Sequence, residues 1–204
     1  MKLLYQTHSP YARKVLVLAH ELGLSSSLEV IHHETSPTSA NEAIYSVNPL
    51  GKVPVLVMPD GVALFDSIVI CDYLDTLHDG PRFIPLDGTE RYEALRLQAL
   101  AQGMCDVGIK LRWEVERRPQ ALRYPAYAEG QAYKLEQAFD FIEQRIDLNG
   151  QTTIGHIALA TALDWIAFRE LSDFSSRKRL TEWYGTFCER ASMRATEYSG
   201  QTHD

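Results

Sequence analysis

The feature that most constrains the fold is a proline placed directly before a strand-like run. Pro54 precedes Val55-Leu56-Val57 at the end of the stretch 48–57, NPLGKVPVLV. Because proline has no N–H and is poorly tolerated inside a strand, it predicts a constrained turn or an edge position here. If the Val53–Pro54 bond is cis, the Val53 N–H and C=O point away from sheet pairing and can bond an extended ligand as an added strand would. The stretch therefore predicts a binding site for a small, peptide-like anion.

A predicted helix start follows closely along the chain. After an Asp60-Gly61 turn and a short strand at Val62–Phe65, Asp66-Ser67 precede a run with apolar residues at helical spacing. Free N–H groups and a serine hydroxyl at a helix start suit a carboxylate ligand. A simple N-cap formed by these two residues is the alternative explanation.

The order of predicted elements indicates an α+β protein of two domains. Strands at 2–6, 28–32, around Val55 and around Val62 alternate with helices at 10–22, within 35–45 and from Ser67, which gives β-α-β-α-β-β-α. That order is similar to a thioredoxin fold. Residues 79–88 contain two glycines and two prolines and are predicted to form a linker. We therefore predict a thioredoxin-like domain at 1–78, the linker at 79–88 and an all-helical domain at 89–204.

Composition excludes several classes of protein. The net charge of −7 argues against a general nucleic-acid or anionic-membrane surface, and 45% hydrophobic residues suffice for a packed core. Cys71, Cys105 and Cys188 are odd in number and widely spaced, which favours reduced thiols in a cytosol over a disulfide framework. No metal-binding spacing, signal-peptide pattern or apolar run near the ~20 residues needed to span a bilayer is present. We expect a cytoplasmic protein without a metal.

Several motifs together resemble the glutathione transferase superfamily. Residues 48–56 (NPLGKVPVL), 64–67 (LFDS) and 9–15 (SPYARKV) resemble its glutathione-binding half, and residues 99–108 and 153–163 resemble helices of its C-terminal domain. Order and spacing match along nearly the whole chain, and the closest likeness is to the bacterial YibF-like branch. The resemblance implies a homodimer that uses glutathione as a co-substrate and no metal.

Ser9 is the candidate catalytic residue. It lies before Pro10 at a helix start, where free N–H groups and the helix dipole would lower the pKa of a bound thiol from its usual ~8.5. The resemblance implies that the Ser9 hydroxyl donates a hydrogen bond to the glutathione thiolate. A helix cap without catalysis is the alternative, and Tyr5 and Tyr11 are rival hydroxyls that we consider weaker candidates. No C-x-x-C or G-x-S-x-G motif is present, which disfavours disulfide exchange and a covalent serine nucleophile.

The resemblance also implies how the rest of glutathione is held. The Val53 backbone, with Pro54, would pair with the cysteinyl part, and Asp66-Ser67 would hold the γ-glutamyl end. Lys52 would meet the glycyl carboxylate, although a solvated lysine explains it equally well. Asp106 would reach the γ-glutamyl amine bound to the partner subunit, and a hydrogen-bonded helix aspartate is the alternative.

Two positions depart from the family pattern. The family commonly has Thr-x-x-Asp at the start of a helix in the second domain, whereas this chain has Thr153-Ile154-Gly155-His156. We predict that the neutral histidine does not replace the carboxylate that reaches back, at a cost of ~0.5–1 kcal/mol, and that Gly155 weakens the helix further. The family's late Arg-Pro is Arg190-Ala191 here.

The expected activity is conjugation of the glutathione thiolate to a small electrophile, as in detoxification. Glutathione-dependent peroxidase activity, thioether cleavage, and a non-catalytic glutathione-binding or protein-interaction module remain alternatives on the same fold. Tyr11, Met104 and Trp113 are candidates to contact the electrophile, whose identity the sequence does not predict, and the alternative is that they belong to the core, as methionine and aromatic residues at helical spacing usually do.

Overall fold

A computed structural model describes residues 1–198 of the chain. These residues form two compact units. Unit 1 contains Met1–Leu86 together with the described residues from Ala191 onward, and unit 2 is Asp87–Arg190.

Unit 1 is built on a mixed four-stranded sheet with the strand order β2-β1-β3-β4. Strand β1 is parallel to β2 and antiparallel to β3, and β3 is antiparallel to β4. Together with its helices, this sheet has the predicted thioredoxin-like order β-α-β-α-β-β-α. The elements are β1 (Lys2–Tyr5), α1 (Pro10–Glu21), β2 (Glu29–His32), α2 (Glu42–Tyr45), β3 (Val55–Val57), β4 (Ala63–Leu64) and α3 (Ser67–Leu74), with a 3₁₀ turn at Ser25–Ser27.

The core of unit 1 follows from the alternation of side chains along the strands. Leu4 and Val55 are paired in the sheet and share one buried cluster with Ile44 of α2 and Val53. Leu3 and Leu56, the next pair, point to the opposite side of the sheet and are completely buried. Apolar side chains therefore cover both sides of the central strands, and the site residues lie in loops at the strand ends.

The segment that the sequence marks as a linker is folded onto unit 1 as far as Leu86. The buried carboxylate of Asp75 accepts hydrogen bonds from the backbone N–H groups of Phe83 and Ile84, each at 2.9 Å. Arg82 donates to the backbone carbonyl of Asp75. These bonds order the glycine- and proline-containing segment through Asp75, which lies outside it. Because the composition of the segment does not include Asp75, composition alone predicts a linker there.

Unit 2 is helical, as predicted for this part of the chain. Helix α4 packs against α5 and α6. At Gly155 on α6, an added Cβ would lie 2.7 Å from the carbonyl oxygen of Ala94 and 2.8 Å from Leu97 Cβ on α4. Gly155 therefore permits a close approach of two helices, a role that its helix propensity alone does not reveal. The helices are α4 (Gly88–Arg112), α5 (Pro125–Arg145), α6 (Ile154–Phe168) and α7 (Lys178–Cys188), with a π-helical turn at Trp113–Arg117 and a 3₁₀ turn at Gln120–Leu122. The last helix in the described chain, α8 (Ala191–Arg194), belongs to unit 1.

The start of α6 corrects one prediction. His156 Nδ1 accepts a hydrogen bond from the Thr153 backbone N–H at 3.1 Å and lies 2.9 Å from Thr153 Oγ1. The imidazole thus reaches back as a carboxylate would in a capping box. The prediction that histidine leaves this end incomplete was wrong, because an unprotonated ring nitrogen is itself an acceptor.

Three further observations concern residues 1–198. None of their helices combines the length and the apolar character that crossing a bilayer requires. They contain no cluster of three or more histidine, cysteine, aspartate or glutamate side chains arranged to hold a metal ion. All three cysteines lie in this range, and none forms a disulfide.

Candidate functional site

Three loops that carry predicted site residues meet where the strands β1, β3 and β4 end on the same side of unit 1. We call this row of strand ends the edge of the sheet. Ser9 follows the C-terminal end of β1, Val53-Pro54 precede the first residue of β3, and Asp66-Ser67 follow the end of β4. The antiparallel registers Leu4↔Val55 and Leu56↔Leu64 place these three strand ends side by side. The edge therefore brings Ser9, Val53, Pro54, Asp66 and Ser67 together.

Ser9 is the N-cap of α1. Its extended backbone (φ −79°, ψ 119°) lets Oγ accept a hydrogen bond from the Ala12 N–H at 3.2 Å. Its own backbone N–H donates to the Gln6 carbonyl at 3.0 Å. Because Oγ acts as an acceptor in the cap, its proton remains available to donate to a ligand. The half-buried hydroxyl thus combines a capping role with a potential donor role.

The loop before β3 has the backbone geometry that Pro54 predicts. The Val53–Pro54 peptide bond is cis, and Val53 lies outside the strand ladder, whose register begins at Val55. Val53 and Pro54 are both buried, and Lys52 beside them is exposed. The Val53 backbone N–H and C=O are therefore not used by the sheet.

Asn48 organises this loop, a role that was not predicted from the sequence. The buried Asn48 side chain donates to the Lys52 carbonyl at 2.8 Å and accepts from the Leu50 N–H at 3.1 Å. Gly51 in the same loop has φ +62°, and an added Cβ would lie 2.5 Å from the ring of Tyr45. An asparagine directly before a proline is a recognised turn signal, so the sequence did contain an indication of this role.

Asp66 and Ser67 lie at the start of α3, and they differ in whether their side chains have a hydrogen-bond partner. Asp66 is the exposed N-cap, and its Oδ1 accepts from the Ile68 N–H at 2.9 Å. Ser67 is 1% exposed, and its Oγ has no hydrogen-bond partner among the described residues. A buried hydroxyl without a partner costs about 1–3 kcal/mol, so the Ser67 O–H is suited to donate a hydrogen bond to a ligand carboxylate once rotation about χ1 turns it towards the ligand.

The remaining candidates lie as follows. Asp106 is an exposed residue of α4 in unit 2. Of the rival hydroxyls, Tyr5 lies at the end of β1 and packs edge-on against His32 with ring centroids 5.7 Å apart, whereas Tyr11 lies on α1. Met104 is buried in α4, and Trp113 begins the π-helical turn.

Cys71 on α3 does not supply a reactive thiolate. Complete burial raises the pKa of the Cys71 thiol to about 12, and the nearby Lys14 only partly offsets this effect. A thiol with this pKa remains protonated at neutral pH and is a poor nucleophile. If thiolate chemistry takes place in unit 1, a ligand must therefore bring the sulfur.

The features of this edge suit an extended anion. Helices α1 and α3 both begin at this edge, and the positive end of each helix dipole favours a negatively charged ligand there. Between them, Val53 offers an unpaired strand-like backbone, and Lys52 adds a positive charge beside it. The arrangement suits recognition of a short anionic peptide with a carboxylate near Ser67 and a hydrogen-bond acceptor near Ser9.

A family model and a bacterial relative match this chain. Residues 8–77 match the family model described as the glutathione S-transferase N-terminal domain. The uncharacterized GST-like protein YibF of Escherichia coli K12 is 32% identical over 176 residues, which are 84% of this chain and 85% of that protein.

Solved structures extend the likeness to nearly the whole chain. A glutathione transferase family member from Pseudomonas fluorescens Pf-5, with bound glutathione, has a TM-score of 0.92 and 35% identity, covering 98% of this chain and 99% of that chain. A second structure from that organism contains S-(propanoic acid)-glutathione and has a TM-score of 0.90 at 35% identity, with coverage of 98% and 100%. A glutathione S-transferase from Methylobacillus flagellatus KT with glutathione bound has a TM-score of 0.85 at 32% identity, with coverage of 97% and 99%.

Proposed function

Because this chain belongs to the glutathione S-transferase family, we propose that it binds glutathione at the sheet edge of unit 1 and conjugates the glutathione thiolate to a small electrophile. The observation that carries the proposal is the alignment of three strand ends, which brings Ser9, Val53 and Ser67 to one edge. Bound glutathione in similar solved structures supports the same ligand for this chain.

The size of glutathione fits the spacing of the sheet. Neighbouring strands lie about 4.8 Å apart, so the two intervals from β1 to β4 span about 10 Å. An extended three-residue peptide also covers about 10 Å. In the proposed pose the cysteinyl part pairs with the Val53 backbone, the γ-glutamyl carboxylate meets Ser67, and its ammonium group meets Asp66. Lys52 then faces the glycyl carboxylate.

Catalysis in this proposal rests on the thiolate. The Ser9 hydroxyl donates to the sulfur while it accepts from Ala12, so it stabilises S⁻ and does not act as a base. The thiolate attacks an electrophilic carbon of the second substrate, a carbon–sulfur bond forms, and a leaving group departs with its electron pair. The product is a glutathione thioether, the class of compound bound to one of the similar structures.

Calorimetry and an activity assay test the proposal. We expect glutathione to bind with a dissociation constant below 1 mM and a chloronitroaromatic to be conjugated, with chloride released. Absence of binding at millimolar glutathione would overturn the enzyme proposal. Binding without conjugation of any electrophile, and without turnover of an organic hydroperoxide, would favour the non-catalytic alternative.

The proposal includes a cytoplasmic homodimer in which Asp106 contacts the γ-glutamyl amine held by the partner subunit. The exposure of Asp106 on α4 is compatible with such a contact. Light scattering at micromolar concentration should give twice the mass of the 23.1 kDa chain. We expect Asp106→Asn to weaken glutathione binding without changing that mass, and a monomeric wild type would exclude this role for Asp106.

A further inference from the structure

The ring of Tyr198 contacts residues on both sides of Ser9. The Arg13 guanidinium carbon lies 4.4 Å from the centre of the Tyr198 ring, within cation–π distance. On the other side, the ring centroids of His8 and Tyr198 are 6.1 Å apart at an angle of 43°. His8 directly precedes Ser9, and Arg13 lies one helical turn after it.

The segment that carries Tyr198 is also anchored to α1 by polar contacts. Arg13 is 3% exposed; its Nη2 donates to the Met193 carbonyl at 3.2 Å, and its Nε donates to Thr196 Oγ1 at 3.3 Å. At the far end of α1, Ser192 Oγ donates to Glu21 Oε1. A buried guanidinium loses solvation, so these bonds must be kept for it to remain buried. They hold the segment at a fixed position along the helix.

These contacts bear on Ser9 through its backbone. The Arg13 N–H donates to the Ser9 carbonyl at 3.0 Å, and the Ser9 N–H donates to Gln6 at 3.0 Å. Ser9 is therefore held between a loop that includes His8 and a helical turn that includes Arg13. A ring in contact with both side chains limits the rotation of that loop relative to the helix.

We propose that Tyr198 is a positioning residue for Ser9, acting through His8 and Arg13 to aim the Ser9 hydroxyl at the glutathione sulfur. This inference rests on the proposed function. The Tyr198 ring does not take part in the chemistry. Its removal lets the loop at residues 6–9 shift while the rest of the glutathione site is unchanged, so the loss falls on thiolate stabilisation more than on binding.

Three variants test the inference. Tyr198→Leu removes the aromatic face and keeps apolar volume, Tyr198→Phe keeps the ring, and Glu197→Ala changes the exposed neighbouring residue as a matched control. Wild-type glutathione binding is measured first by calorimetry. For each variant, kcat, KM for glutathione and the pH profile of conjugation are then measured, with circular dichroism and thermal melting to confirm folding.

We expect Tyr198→Leu to lower kcat by about tenfold and to move the rising limb of the pH profile to higher pH, with KM for glutathione changed less than threefold, because a shift near 1 Å in a reacting group has effects of this order or larger. Tyr198→Phe and Glu197→Ala should retain wild-type values.

A Tyr198→Leu protein with wild-type kcat and pH profile overturns the inference. If this variant does not fold, His8→Leu breaks the same ring contact, and the same expected and contrary results apply. Wild-type protein that binds no glutathione removes the proposed function itself, whereas binding with an unaffected Tyr198→Leu removes only the positioning role.

Discussion

Ser9 has two hydrogen-bonding roles that substitutions can separate. Ser9→Ala should raise the pKa of the bound glutathione thiol by about 1–2 units, because a hydrogen bond to a charged group contributes about 1.5–3 kcal/mol. The conjugation rate at neutral pH should fall accordingly. The same change removes the cap on the Ala12 N–H and should lower the unfolding free energy by about 1 kcal/mol. Thiolate absorbance as a function of pH and denaturant titration measure the two effects.

Two other substitutions serve as controls for the Ser9 prediction. Ser9→Thr retains a hydroxyl and should preserve both the cap and the lowered thiol pKa. Ser9→Asp retains a cap acceptor but places a negative charge near the sulfur, so it should keep stability and lose activity. An unchanged thiol pKa and rate in Ser9→Ala would remove this residue from the mechanism.

Asp66 and Ser67 are adjacent, yet only the loss of Asp66 should lower stability. Asp66→Ala removes the acceptor for the Ile68 N–H and should lower the unfolding free energy by about 1 kcal/mol. Ser67→Ala removes a buried oxygen without a partner among the described residues, so stability should be unchanged or slightly higher, while the dissociation constant for glutathione should rise by roughly tenfold. Urea denaturation and calorimetry measure these quantities. Equal destabilisation by both substitutions would show that Ser67 Oγ is already satisfied in the fold.

At the level of single residues, the sequence identifies residues that contact a ligand more readily than residues that position them. Ser9, Pro54 and Ser67 are recognisable because a helix start or a strand start makes each residue type informative. Tyr198 has no such local signal, since its partners His8 and Arg13 lie near the other end of the chain and the Arg13–Met193 bond joins residues 180 positions apart. A contact of this kind depends on tertiary packing, which no local pattern encodes.

Helix α6 provides a test in which propensity and packing predict opposite signs. Alanine has the higher helix propensity, so Gly155→Ala would stabilise an isolated helix by up to about 1 kcal/mol. In the folded unit the new methyl would lie 2.7 Å from the Ala94 carbonyl oxygen, and overpacking of this kind costs about 1–3 kcal/mol. We therefore expect a net loss of unfolding free energy, measured by denaturant titration.

Gly130 on α5 is the matched control for Gly155. An added Cβ at Gly130 would have no atom within 4 Å, so Gly130→Ala should follow propensity and gain about 0.5–1 kcal/mol. A stabilising Gly155→Ala would mean that α4 and α6 can move apart at little cost. The comparison also shows why the prediction from the sequence treats Gly155 only as a weak helix former. The role of this glycine depends on its close contact with α4, which the local sequence pattern does not reveal.

The capping box at the start of α6 should make unit 2 sensitive to acid. His156 Nδ1 accepts from the Thr153 N–H only when it carries no proton, and desolvation by burial lowers the pKa of His156 below its usual ~6.5, with Asp147 partly opposing the shift. The unfolded chain therefore takes up the proton first as the pH falls. This contribution to stability is complete above about pH 6.5 and is lost as the pH falls towards the lowered pKa of the folded state.

Denaturant titration between pH 7.5 and about pH 5 measures this effect. His156→Asp restores the family's carboxylate, which stays ionised down to about pH 4, so it should flatten the stability curve in that range. A wild-type curve as flat as that of His156→Asp would contradict the proposed link between His156 and stability.

Across the whole molecule, the order of elements can be predicted while the membership of the two units cannot. Each strand and helix of unit 1 follows from its own short pattern, and the thioredoxin-like order follows from listing them. The sequence pattern, however, predicts the boundary at 79–88 and a single domain beyond it. The structure groups the described residues from Ala191 onward with unit 1, because the buried Arg13 and the end of α1 bind them there.

Ligand binding should be visible in the stability of the whole chain. Glutathione at one hundred times its dissociation constant should add about 2.7 kcal/mol to the unfolding free energy, which for a chain of this length corresponds to a rise in melting temperature of about 5–10 °C. Because Ser9, Val53 and Ser67 all belong to unit 1, a melting curve with two transitions should shift mainly in the transition of unit 1, and the proposed Asp106 contact should add a smaller shift in that of unit 2. In Ser67→Ala, a tenfold weaker affinity at the same glutathione concentration reduces the gain to about 1.4 kcal/mol, while the melting temperature without ligand stays at or above the wild-type value. Differential scanning calorimetry with and without glutathione measures both quantities, and a shift of equal size in wild type and Ser67→Ala would place the bound glutathione away from the start of α3.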